Sequence, residues 1–140
     1  MPALAWMGVV FVGSTDFFSS VNTGTLLMAL LRVLVGSMDP ATFFALHLAL
    51  RKVAHVTVYA VLAVLWFRAL RSGSRERYMR WALVALAVCL GVALMDETVQ
   101  SFMPSRGASA LDVGLDMLGA SAAVASVFFR LRRQGPSLSC

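Results

Sequence analysis

Residues 53–70 read VAHVTVYAVLAVLWFRAL, with one histidine inside the run and Arg68 near its end. A helix that crosses the hydrocarbon of a bilayer needs about 20 mostly apolar residues, with a working range of about 17–25. The stretch meets that requirement. The rest of the chain is then expected to supply partners for a membrane-spanning helix.

Composition agrees. Of the 140 residues, 59% are hydrophobic and 14% are charged, and the mean hydropathy is +0.80. A soluble domain has about 45–50% apolar and about 25% charged residues, so both departures point to one membrane domain over residues 1–140. The net charge of +5 does not make nucleic acid a partner. The basic residues flank apolar segments instead of lining a polar face. Two cysteines make no disulfide framework. Cys89 lies inside WALVALAVCLGVALM and Cys140 is the last residue, and both read as structural or incidental. MPALAWMGVVFVG carries no basic n-region and no small-x-small site, so a removed signal peptide is not expected.

Outward from 53–70, two further stretches have span length: 80–103, apolar as far as Met95, and 111–129, with Asp112 and Asp116 in its opening turns. Residues 2–15 are uncharged and give a fourth, short span. In TGTLLMALLRVLVG, residues 23–36, Leu27, Leu30, Leu31 and Leu34 repeat at helical spacing. Thr23 is placed to cap the start and Gly36 the end. At about 14 residues this helix is too short to span and is expected in the interface plane. Asp39-Pro40 reads as an N-cap followed by proline at the first helical position. No Pro or Gly interrupts residues 41–70, so one long helix of roughly 45 Å is expected there. The expected fold is therefore all-α: a polytopic membrane helical bundle of about four transmembrane helices plus an interfacial amphipathic helix.

Arg68, Arg71, Arg75, Arg77 and Arg80 face a single acid, Glu76, and Arg130, Arg132 and Arg133 close the last apolar segment. The positive-inside rule puts loop 71–79 and tail 130–140 in the cytoplasm. Four spans then place both termini inside and the protein in the cell membrane. The outer face receives Asp16, Asp39, Lys52, Asp96, Glu97, Arg106 and Asp112.

The polar residues collect at that face. Lys52, His55 and Tyr59 share one side of a helix at i, i+3, i+7. In MDETVQSFMPSRGASALD, residues 95–112, Asp96 and Gln100 are spaced i, i+4, as are Glu97 and Ser101. Carboxylates at the end of a span oppose the helix dipole, and Lys52 and Arg106 are the expected compensating cations. Ser109-Ala-Leu-Asp112 has the form of a capping box. An unpaired charge inside a bilayer costs about 2.5–3.5 kcal/mol or more, so polar groups from three helices at one depth imply a shared inward-facing pocket. Taken singly, Asp112 reads as a helix cap, Arg51 and Lys52 as snorkelling cations, and His47 as incidental. Gly119 and Ala123 make a small-xxx-small pair for close helix packing.

The ordered set RKVAHVTVYAVLA, DETVQSFMPSR and ALDVGLDMLGA resembles the VanZ-like family of small membrane proteins, from about Arg51 to Ala123. The resemblance places the family pattern on Lys52, His55, Tyr59, Asp96, Glu97, Gln100, Arg106, Asp112 and Gly119. Family members often have Asn where this chain has Asp116, and a second glycine near Ala123. The family's namesake is linked to teicoplanin resistance, which implies an envelope or antibiotic-resistance role.

Several functions stay open. The pocket binds an amphiphilic envelope component: a membrane lipid, a lipid-linked envelope precursor or a glycopeptide antibiotic. Lys52 and Arg106 would hold the anionic group, and Glu97, Gln100 and Asp112 would accept hydrogen bonds. Alternatively the protein is an intramembrane enzyme with His55 or Glu97 as general base, or with His55, Asp96, Glu97 and Asp112 around a metal. No HExxH, paired-histidine or nucleophile-elbow motif is present, and no cofactor is expected. Asp116 and His55 would also permit proton relay or transport, which would require an oligomer. An accessory subunit locked together by its charges is the remaining alternative.

Overall fold

The helix that contains residues 53–70 begins well before them. The computed structural model describes residues 1–13, 15, 20–34, 36, 39–71, 77–102 and 109–133. Its elements are α1 (Pro2–Gly13), α2 (Ser20–Leu34), α3 (Pro40–Leu70), α4 (Tyr78–Ser101) and α5 (Ala110–Arg133). The described residues contain no strand. Asp16, Arg75, Glu76, Arg106 and Cys140 lie outside them.

Asp39 starts α3 as expected. Its Oδ2 accepts from the backbone N–H groups of Ala41 and Thr42, each at 3.1 Å, which satisfies two of the donors a helix start leaves over. Pro40 takes the first helical position, where a missing N–H costs nothing. Uninterrupted by Pro or Gly, the 31 residues form one helix of roughly 46 Å. Beyond the end of α2, Gly36 has φ +85, a left-handed conformation that glycine adopts without a Cβ penalty.

α3, α4 and α5 are long and apolar enough to cross a membrane. The fourth span expected over residues 2–15 is corrected. α1 has 12 residues, about 18 Å of helix against roughly 30 Å of hydrocarbon. The even number of crossings that put both termini on one face goes with it. α2, at 15 residues, is likewise too short to span. It starts at Ser20, so Thr23 lies inside the helix and does not cap it.

Apolar side chains gain little by leaving lipid, so close packing and interhelical hydrogen bonds hold spans together. α3 is the hub. It touches all four other helices and packs most extensively on α5. α4 turns a face of small residues inward, Ala82, Ala85, Cys89 and Ala93. α5 meets α3 through Gly119, where an added Cβ would lie 3.0 Å from Val56 Cα and overlap the Val56 carbonyl oxygen. Only glycine fits that approach. α1 lies beside the middle of α3, where Trp6 Nε1 donates to the Val58 carbonyl at 3.0 Å.

The end of α4 is arranged inside out. Leu94, Met95 and Val99 are 52%, 59% and 39% exposed, whereas Asp96, Glu97 and Gln100 in the same turns are 3%, 6% and 3% exposed. In water that arrangement would be costly. In hydrocarbon it is the favourable one.

Candidate functional site

α3, α4 and α5 bring the ionisable side chains together in three small linkages. His55 Nδ1 and Asp116 Oδ1 are 3.0 Å apart, with Asp116 fully buried and His55 20% exposed. Gln100 Nε2 donates to Asp96 Oδ2 at 3.0 Å, across the i, i+4 spacing read from sequence. Glu97 Oε2 accepts from the backbone N–H of Ser109 at 2.6 Å.

The third linkage revises the capping box. Ser109 Oγ does accept from the Asp112 N–H, at 3.4 Å. However, the Ser109 N–H donates to Glu97 on the neighbouring helix and not to Asp112. A carboxylate beside a helix N-terminus is favoured by the dipole. Glu97 therefore satisfies the start of α5 while sitting at the unfavourable end of α4. The expected compensation by cations is not found at Lys52. Lys52 is exposed and forms no ion pair among the described residues, and Arg106 lies outside them. Asp112 is half-buried in the first turn of α5.

A cavity of about 510 Å³ opens beside this cluster. Its α3 wall carries His47, Arg51, His55 and Tyr59, four residues apart and so in one stripe along the helix. Leu50, Ala54 and Val58 form a parallel apolar stripe on the same wall. Val9, Val10 and Val12 of α1 and Leu27 of α2 complete the apolar lining, and Asp96 and Gln100 of α4 close one side. Buried oxygens without a hydrogen-bond partner among the described residues include Tyr59 Oη, Asp96 Oδ1, Glu97 Oε1 and Asp116 Oδ2.

The expected site residues thus divide. His55, Tyr59, Asp96 and Gln100 line the cavity. Asp116 and Glu97 stand behind its wall, one holding His55 and the other the start of α5. Lys52 and Asp112 take no part in the lining, and Arg51 occupies the cation position expected of Lys52. His47 is not incidental. Its Nε2 is 3.4 Å from Thr23 Oγ1, and its ring packs over Gly24, where a Cβ would stand 3.3 Å from His47 Cε1. His47, Arg51, His55 and Tyr59 repeat every fourth residue, but Lys52, His55 and Tyr59 share a helix face as well, so spacing alone does not choose between Arg51 and Lys52. Among the described residues no group of three or more His, Cys, Asp or Glu is placed to hold a metal ion. His55, Asp96, Glu97 and Asp112 are not assembled as a ligand set.

Span-length helices with ionisable groups turned inward and apolar groups turned outward define a small helical membrane protein with a buried polar cluster. The chain belongs to the VanZ/LLP1 family, whose model matches residues 1–131. The match takes in α1 and α2, beyond the Arg51–Ala123 stretch that carries the resemblance. No curated protein and no solved structure is matched.

Proposed function

We propose that this protein binds an amphiphilic cell-envelope component in the cavity between α1, α2, α3 and α4. The observation that carries this is the pairing of stripes on α3. His47, Arg51, His55 and Tyr59 offer polar contacts beside the apolar run Leu50, Ala54 and Val58. A ligand with a polar head and a hydrocarbon chain satisfies both at once, and a cavity of about 510 Å³ is within the range of small-molecule sites, about 300–1,000 Å³. A membrane lipid, a lipid-linked envelope precursor and a lipid-anchored glycopeptide such as teicoplanin all have that build. The arginines at the end of α3, the start of α4 and the end of α5 share one end of the bundle. By the positive-inside rule that end is cytoplasmic, and the His47–Arg51 end of the cavity belongs to the outer leaflet of the cell membrane.

Native mass spectrometry from mild detergent tests the proposal, comparing wild type with Ala54→Phe, which fills the cavity. A discrete lipid-mass adduct on wild type and its loss from a variant of unchanged thermal stability are expected. A wild type without any specific adduct contradicts it. The His55–Asp116 pair favours one second reading. Asp116 engages Nδ1, leaving Nε2 of a cavity-lining residue for proton transfer, so the bound amphiphile would be a substrate. Product formed by wild type and lost in His55→Gln, with binding retained, would favour that reading.

A further inference from the structure

We infer that Arg51, with His47 one turn before it, forms an anion subsite, so that the amphiphile the cavity takes carries a phosphate-class head group. The inference rests on the cavity reading above and adds the chemistry of the head. Guanidinium is charged at any physiological pH and presents a fork of donors that suits phosphate oxygens. In this structure it lines a cavity whose walls are mostly aliphatic. A cation in such surroundings is expected to have a counter-charge, yet Arg51 forms no ion pair among the described residues. Asp96 shares the cavity, but one of its oxygens is taken by Gln100 and it forms no ion pair with Arg51.

The flanking groups favour phosphate over a lone carboxylate. His47 lies one turn from Arg51 in the same lining, and its ring N–H is a further donor for an oxyanion with three acceptor oxygens. Polarity also sets the direction of the ligand. The Asp96 carboxylate at the other side repels an anion and accepts hydroxyl or amide donors. The phosphate therefore sits at the His47–Arg51 end, and the chain lies against the apolar lining.

The experiment pairs two lipids that differ only in the phosphate, dioleoylphosphatidic acid and dioleoylglycerol, in competition on the purified full chain, read by native mass spectrometry. Wild type should prefer the phosphorylated lipid on the order of tenfold, the worth of one charge-assisted contact. Arg51→Gln should lose that preference while still taking up dioleoylglycerol. Arg51→Lys should keep part of it, and Lys52→Gln, which removes the same charge from an exposed neighbour, should keep all of it. Inorganic phosphate as competitor distinguishes the sources. Displacement of the lipid by phosphate would show a subsite that takes the anion by itself, and no displacement would show one that needs the chain as well. Preference surviving in Arg51→Gln, or lost equally in Lys52→Gln, overturns the anion subsite. Equal binding of both lipids to wild type refutes the head-group inference alone, whereas no binding of either refutes the cavity reading itself.

Discussion

Gly119→Ala is a single-methyl change that should be felt three residues from where it is made and across a helix interface. The new Cβ would lie 3.0 Å from both the Cα and the carbonyl carbon of Val56 and overlap the carbonyl oxygen. These are backbone atoms of an unbroken helix, so no side chain can swing away. Ordinary carbon contacts sit at about 3.5–4.0 Å, which requires α5 to withdraw from α3 by roughly 1 Å. His55 adjoins Val56, and Asp116 lies one turn before Gly119. The same withdrawal would lengthen the 3.0 Å His55–Asp116 contact to about 4 Å, beyond hydrogen-bonding range. Overpacking alone costs about 1–3 kcal/mol, and the orphaned carboxylate of a fully buried aspartate adds to it. Equilibrium unfolding in detergent, followed by helical circular dichroism, would measure the loss. Combining Gly119→Ala with Asp116→Ala, which removes the acceptor, should show non-additivity of about 1 kcal/mol or more, because both changes act on one contact. A Gly119→Ala protein within about 0.5 kcal/mol of wild type, or strictly additive with Asp116→Ala, would refute the coupling of helix approach to the dyad.

Two further outcomes follow from the same geometry. Glu97→Ala leaves the Ser109 N–H without its acceptor, so stability should fall by about 1–3 kcal/mol and amide exchange should quicken at Ser109, while Glu97→Gln keeps an acceptor and should lose about half as much. Unchanged exchange at Ser109 in the Ala variant would contradict the cap. Trp6→Phe keeps the ring packing but removes the donor to the Val58 carbonyl, for a loss of about 0.5–1.5 kcal/mol. It should also raise proteolytic release of α1 before the spans unfold, and release that coincides with global unfolding would argue against α1 as a separately held element.

How much of this was legible in the sequence differs by element. The spans were, because a bilayer imposes a length and an apolar composition that one sequence displays directly. The N-cap at Asp39 and the continuous α3 were also legible, since proline and glycine act on their own backbone and need no partner. Residues 2–15 misled, because composition reports greasiness but not where a helix stops, and 12 residues fall below span length. Ser109–Asp112 misled for a different reason. The capping box is a local pattern, but Glu97 reached the same donor from another helix, and nothing in residues 109–112 announces that. Lys52 and Arg51 show the limit most clearly. Adjacent residues on a helix differ by about 100° in direction, and either is compatible with His55 on one face. Only the position of α1 and α2 decides which of them lines the cavity.

The division of the polar cluster into lining and supporting residues changes what a loss-of-function variant can mean. Glu97 and Asp116 are ionisable, buried and close to the cavity, the properties by which catalytic groups are usually picked out. Yet the contacts they make are with the start of α5 and with His55 Nδ1. Their removal would move the wall and reorient His55 even if neither ever met a ligand. An amide oxygen at position 116 could accept from His55 Nδ1 in the same geometry without the charge, so what the position supplies on this account is an acceptor one turn from Gly119. His55, Tyr59, Asp96 and Gln100 are different, because each faces the space a ligand would occupy. Arg51 is different again, being the cation of that lining for which no acid is supplied from the described residues. The chemistry of the ligand is therefore to be sought along the stripe from His47 to Tyr59, and the cluster behind it holds that stripe in register.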